Sequence, residues 1–283
     1  MTRSSTAPVP GPGAAAAPHP AIVPVPAFSD NYIWLLVDRE RRRAAVVDPG
    51  DAAPVVAALA AAGLRLAAVL VTHHHPDHVG GLPGLREAFP DMVVHGPAAS
   101  RAEGIDVRWR HGDTVELDGF DARFRVIEVP GHTLDHVAYF AERIGDDPRP
   151  VLFCGDTLFA GGCGRVFEGT PQQMTASLGR LAALPDDALV YCAHEYTSSN
   201  LRFARAVEPD NPALAERERQ TAELRAAGTP TVPSTLSLER ATNPFLRTTD
   251  PAVRQAAAVR LGHDPADAVE TFAAVRQWKD TFR

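Results

Sequence analysis

The apolar run Leu66–Val71 ends directly in Thr72-His73-His74-His75-Pro76-Asp77-His78. Three more short apolar runs end the same way. Phe124–Val129 leads through Pro130-Gly131 to His132, Val151–Cys154 leads to Asp156, and Leu189–Cys192 leads to His194. Each run has the length and β-branched character of a buried strand. Each side chain with ligand chemistry therefore sits where a strand hands over to a loop. Groups so far apart in the chain meet only if the strands lie side by side and present their loops at one edge. That is how binding groups collect in α/β proteins.

The rest of the chain fits this frame. Residues 1–20 are rich in Pro, Ala and Gly, have no apolar periodicity, and read as a disordered tail without the features of a secretory signal; His19 falls here. From residue 21 to 197 short strands alternate with turns and helices. Tyr32–Val37 and Ala44–Val47 read as a hairpin pair, the second strand ended by Asp48-Pro49-Gly50. Pro54–Ala62 reads as a helix stopped by Gly63, and Met92–Val94 as another strand. Leu82–Ala88 and Pro171–Leu184 read as helices. From 198 to 283 the strand signal fades. Pro212–Ala227 and Pro251–Val259 read as helices. Ala266–Phe282 places Val269, Phe272, Val275, Trp278 and Phe282 on one helical face. The expected architecture is a disordered tail (1–20), an α/β catalytic domain (21–197) and a smaller helical substrate-binding domain (198–283).

The ligand types suit a borderline divalent metal. In a short turn His73 and His75 can face one ion while Asp77 and His78 face a neighbour. With His132, Asp156 and His194 the set is too large for one tetrahedral ion and suits two, with the two oxygens of Asp156 as the bridge. His74 alternates away from its neighbours and reads as structural, as does His95. His111, His136 and His263 have no ligand-like context. Asp48 is a candidate for holding a ligand loop by hydrogen bonds. Cys154, Cys163 and Cys192 have neither disulfide nor metal spacing, which points to a reducing, cytoplasmic compartment. The net charge of −7 argues against nucleic acid or an anionic membrane as partner. Lys279 is the only lysine.

At these motifs the chain resembles the metallo-β-lactamase superfamily, and within it the glyoxalase II (hydroxyacylglutathione hydrolase) family. The metal motifs carry the first resemblance. The second rests on Gly162-Cys163-Gly164-Arg165-Val166-Phe167-Glu168-Gly169-Thr170, Ala193-His194-Glu195-Tyr196-Thr197, Asn243-Pro244-Phe245-Leu246-Arg247 and the helical C-terminus. The resemblance implies an αββα sandwich with its site at one edge. It implies one metal on His73, His75 and His132, a second on Asp77, His78 and His194, and Asp156 on both. It places glutathione contacts at Arg165, Phe167, Tyr196 and Arg247. Relatives with Lys and Tyr in the first segment have Arg165 and Phe167 here. A second basic residue found beyond Arg247 in some relatives is replaced by Thr248-Thr249-Asp250.

The implied reaction is hydrolysis of an S-(2-hydroxyacyl)glutathione thioester, typically S-D-lactoylglutathione to D-lactate and glutathione. A metal-bridging hydroxide would act between two ions, zinc first, with iron or manganese in one or both places. Asp77 and Asp156 are the carboxylates closest to the chemistry, and a monomer is expected. The alternatives are another enzyme on this fold, such as a single-iron persulfide dioxygenase, and a non-catalytic binding protein. A β-lactamase fits poorly without an export signal, and a nuclease fits poorly with the acidic charge.

Overall fold

The computed structural model describes residues 21–38, 40, 42–117 and 120–283. The expected disordered tail, with His19, lies outside the described residues. The chain divides into two compact units. The first comprises the chain up to Ile127 together with Val137–Phe153, and the second comprises Glu128–His136 and Cys154–Arg283.

The first unit is built on a sheet of six strands in the order β1 (Ala21–Ala27), β2 (Asn31–Asp38), β3 (Arg43–Val47), β4 (Arg65–Leu70), β5 (Val93–Pro97) and β6 (Val107–Trp109). The first three strands are antiparallel, and β3 to β6 run parallel. Parallel strands need crossovers, and the chain supplies helices. Helix α1 (Ala52–Ala62) joins β3 to β4, and the short α2 (Pro76–Val79) and α3 (Leu82–Ala88) join β4 to β5. Helix α1 starts at Asp51, whose carboxylate accepts the Ala53 N–H, and stops at Gly63 in the left-handed region (φ 63°). Val55 and Leu59 of α1 and Leu82 and Leu85 of α3 pack with Leu35, Val46 and Val69 in one apolar core. This packing fixes the strand ends that the functional loops leave.

Strand β1 was not legible in the sequence because Pro24 and Pro26 interrupt it. It lies at the end of the sheet, where a missing N–H costs no ladder bond. Strands β7 (Thr114–Glu116) and β8 (Arg123–Glu128) pair antiparallel, as do β9 (Val137–Ala141) and β10 (Val151–Gly155). The phenol of Tyr139 on β9, fully buried, donates to the Val71 carbonyl at 2.8 Å. The chain thus gains a fixed point two residues before His73.

In the second unit β11 (Leu158–Phe159) and β12 (Gly162–Cys163) form a small hairpin, and β13 (Leu189–Cys192) pairs with β14 (Ser234–Thr235). The helices are α4 (Pro171–Ala182), α5 (Thr197–Val207), α6 (Pro212–Ala226), α7 (Leu236–Thr242), α8 (Pro251–Leu261) and α9 (Ala268–Thr281). Thr170 and Gln173 close a capping box on α4. Asn211, Asp250 and Asp267 cap α6, α8 and α9 through their side chains. The face expected of α9 is only partly the buried one. Phe272 and Val275 are buried, but so are Thr271, Ala274 and Arg276. Among the described residues no helix is long and apolar enough to cross a membrane.

Candidate metal centre

In the first unit the motif after β4 turns into α2, with His75 as its N-cap and Pro76 as its first residue. The turn gathers the imidazoles. His73 Nε2 lies 3.1 Å from His75 Nδ1, and the rings of His73 and His78 are 4.0 Å apart. His78 Nε2 lies 3.5 Å from Asp77 Oδ2. His73 and His78 are fully buried.

The protonation pattern leaves the right atoms for a cation. Thr72 donates its hydroxyl to Asp48 Oδ2 at 2.8 Å, so at 3.0 Å it accepts the proton of His73 Nδ1. The lone pair of His73 is then on Nε2, facing His75. His78 Nδ1 lies 3.1 Å from the same Asp48 carboxylate, which favours the proton there and leaves Nε2 bare. Asp48 does this from the left-handed region (φ 53°), a conformation Asp tolerates, and also accepts the Thr72 N–H at 2.7 Å. Its expected role as the holder of the ligand loop is what the geometry shows. Asn31 at the start of β2 donates to Asp77 Oδ2 at 3.2 Å. Nothing in the sequence pattern marked Asn31, because the contact joins strand β2 to a loop beyond β4.

The second unit holds three candidate groups of its own. Asp156 Oδ2 lies 3.5 Å from His132 Nε2, and its Oδ1 lies 3.3 Å from His194 Nε2. His132 Nδ1 donates to the Arg165 carbonyl at 2.8 Å, so its Nε2 is also bare. The Asp156 N–H is accepted by His136 Nε2 at 3.0 Å. His136 is thus a satisfied, fully buried histidine that orients Asp156. Nitrogen and oxygen ligands about 2.0–2.2 Å from a tetrahedral ion stand roughly 3.3 Å from one another. The pairs His73–His75, Asp77–His78, His132–Asp156 and His194–Asp156 all fall at 3.1–3.5 Å. The donor set fits divalent metal, and the two oxygens of Asp156 face different histidines as a bridging carboxylate must. These His/Asp clusters could hold two ions.

Two further histidines have side-chain partners of their own. His74 approaches Arg101 through Nε2 at 2.5 Å. His95 accepts the Trp109 indole N–H at 3.1 Å, and burial pushes its pKa down.

Family models match in two blocks. The metallo-β-lactamase superfamily model covers residues 28–194, and the model of the hydroxyacylglutathione hydrolase C-terminus covers residues 195–282. The hydroxyacylglutathione hydrolase of Alkalilimnicola ehrlichii is 57% identical over 92% of this chain and 98% of its own. That of Cupriavidus taiwanensis is 54% identical over 93% and 99%. This chain belongs to the hydroxyacylglutathione hydrolase family. Its fold is therefore the metallo-β-lactamase fold followed by a helical C-terminal domain. Among solved structures, TTHA1623 in a di-iron-bound form is 27% identical over 80% of this chain and all of its own, with a TM-score of 0.52. ETHE1 from Myxococcus xanthus is 30% identical over 75% and 94%, with a TM-score of 0.51.

The family resemblance also named four substrate contacts, and the structure treats them unequally. Arg165 is exposed, 3.7 Å from Asp280. Phe167 is 61% exposed, with its ring edge-on to His132 at 5.2 Å. Tyr196 stacks on His194 at 4.7 Å, the planes 8° apart. Arg247 is differently placed. Its Nε and Nη2 donate to Glu208 at 2.9–3.2 Å, Nη2 also reaches Asp250 at 2.7 Å, and Nη1 reaches the Arg240 carbonyl at 3.3 Å. Two carboxylates neutralise it, and its geometry is that of a brace inside the helical region.

A second group of cations gathers at α9, which sequence reading passed over. Lys279 is half-buried and its pKa is pushed down to about 8, first by burial and then by the neighbouring charges of Arg276, Arg202 and Arg165. Arg276 and Arg165 share the Asp280 carboxylate at 3.0 Å and 3.7 Å, and Lys279 donates to the Ser199 carbonyl at 3.2 Å. The isolated lysine was the available signal, but its neighbours come from three separate segments.

Proposed function

We propose that the chain hydrolyses the thioester bond of S-(2-hydroxyacyl)glutathione, typically S-D-lactoylglutathione, releasing D-lactate and glutathione. The observation that carries this reading is Asp156, whose two oxygens face two histidines at ligand spacing, followed closely by the exposed Arg165–Phe167 segment. The relatives named hydroxyacylglutathione hydrolase at 54–57% identity support it.

In this reading His73, His75 and His132 hold one ion, Asp77, His78 and His194 hold a second, and Asp156 touches both. Zinc is the first candidate, with iron or manganese in either place. When bound, the ions supply an activated water at neutral pH and polarise the thioester carbonyl. The protein's residues do the rest. Asp48 and Thr72 hold imidazole protons away from the ligand nitrogens, and His136 fixes the Asp156 backbone. Arg165 and Lys279 offer positive charge to the glutathione carboxylates, with Arg202 and Arg276 behind them. Phe167 and Tyr196 flank the substrate from beside His132 and His194. A thiolate leaves unaided because thiol pKa values are near ~8.5, so no general acid is required. The complete second ligand set favours two ions over one.

Burial pushes the thiols of Cys163 and Cys192 up to about 11 and about 12, and all three cysteines are free, which suits a reducing cytoplasm.

Purified protein loaded with zinc should cleave S-D-lactoylglutathione, lose activity on chelation and regain it on metal return. Absence of thioester cleavage in protein shown to hold two metals refutes the reading.

A further inference from the structure

The β11–β12 hairpin carries the chain from Asp156 to Arg165, and its backbone bonds to an unusual degree with side chains rather than with other backbone. Asn243 Nδ2 donates to the carbonyls of Phe159 at 3.2 Å and Gly162 at 2.9 Å. Asn200 Nδ2 donates to the Ala160 carbonyl at 3.1 Å. The Gly161 N–H donates to Glu239 Oε2 at 2.8 Å. Arg276 Nη1 donates to the Cys163 carbonyl at 2.9 Å. The partners come from α5, α7, the end of α7 and α9, and all are buried.

Glu239 is the hub. Its Oε1 accepts from Arg217 at 2.5 Å and Ser234 at 2.6 Å, and its Oε2 also accepts from Asn243 at 3.2 Å. It is completely buried and its charge is answered by Arg217, itself 4% exposed. The glycines show how closely the parts fit. Gly161 has φ 69°, and a Cβ on Gly162 would lie 2.5 Å from Asn200 Nδ2.

We infer that Asn243, Asn200 and Glu239 are positioning residues for the glutathione-binding segment: by fixing the β11–β12 hairpin they set where Arg165 and Phe167 stand relative to the bridging carboxylate. This rests on the reading of the segment as the glutathione contact. The two ends of the hairpin are held differently. On the Asp156 side, β10 and His136 anchor the backbone without help from the hairpin. On the Arg165 side, the path runs through Gly164, packed so closely on the Asp156 carbonyl that a Cβ there would lie 2.0 Å from it. Beyond Gly164 the Arg165 carbonyl accepts from His132 Nδ1 at 2.8 Å and the Phe167 N–H donates to the His132 carbonyl at 3.2 Å, so His132 holds this stretch of backbone while the hairpin sets the approach and side-chain placement of Arg165 and Phe167.

The test is N243A and N200A beside the wild type, all zinc-loaded. Each is assayed on S-D-lactoylglutathione and on the same acyl group carried by N-acetylcysteamine, which lacks both glutathione carboxylates. Calorimetry reads the Kd of glutathione itself, and metal content and melting are recorded. The expected result is a rise of about tenfold in KM for the glutathione thioester and in the Kd of glutathione, since small misplacements of binding groups are costly. The truncated thioester should be turned over within about twofold of wild type, with both metals retained. A merely structural role would lower both substrates alike, and that result, or an unchanged KM and Kd, overturns the inference. N200A leaves the Glu239–Arg217 pair intact and decides the matter if N243A fails to fold. A protein that binds glutathione in a variant-sensitive way yet cleaves no thioester refutes the hydrolysis and upholds the positioning.

Discussion

Gly50 follows the Asp48-Pro49 turn at the end of β3, against the loop that carries Asp77 and His78. Its φ is not in the left-handed region, so alanine suits the backbone there. The obstacle is space. A Cβ on Gly50 would lie 1.9 Å from the Asp77 carbonyl oxygen, 2.4 Å from its carbon and 2.9 Å from its Cα. Relaxed non-bonded contact is near ~3.5 Å, so the Asp77 backbone must retreat by roughly 1.5 Å. Metal ligands tolerate only about ±0.2 Å. In G50A the Asp77 and His78 ligands therefore leave their positions, while His73 and His75, two or more residues earlier, keep theirs. The expected outcome is one tightly held metal instead of two, with kcat lowered about 100-fold. Metal per chain after equilibrium dialysis against buffered zinc measures the first, and S-D-lactoylglutathione turnover measures the second. Two retained metals and wild-type kcat in a folded G50A would refute the assignment of Asp77 and His78 to a shared ion.

Three further outcomes test other parts of the reading. R247A leaves the 3%-exposed Glu208 without its partner, so stability should fall by about 2–3 kcal/mol while KM for the glutathione thioester holds; a large KM rise at unchanged melting temperature would restore Arg247 as a substrate contact. Lys279, with its pKa near about 8, is charged below that pH and loses its proton above it, so KM should rise by up to about tenfold towards pH 9 in wild type and stay flat in K279M. The folded chain then binds fewer protons than the unfolded one between pH 8 and the ordinary lysine value of 10.5, so this group's contribution to stability improves as pH rises through that window. N31A removes the donor to Asp77 Oδ2 and should weaken the second zinc by at least about tenfold, read by competition with a chromophoric chelator; unchanged affinity would show that Asp77 holds its orientation alone.

The sequence by itself marked the candidate ligand set and the strand-and-loop frame. His73, His75, Asp77, His78, His132, Asp156 and His194 were readable as candidate ligands because each follows an apolar run, and strand ends are local, periodic signals. The stop of α1 at Gly63 was readable for the same reason. Tertiary structure alone decided which groups support those ligands. Asn31, His136 and Thr72 act through contacts with residues distant in the chain or through tautomers set by a neighbour, and neither leaves a local pattern. It also decided how each cation is paired. Arg247 lies in the turn between α7 and α8, and Lys279 lies on α9 one turn after Arg276. Only folding places Glu208 beside the first, and Arg165 and Arg202 beside the second. Charge is written in the sequence, but the field at a site is a sum over neighbours that the fold selects.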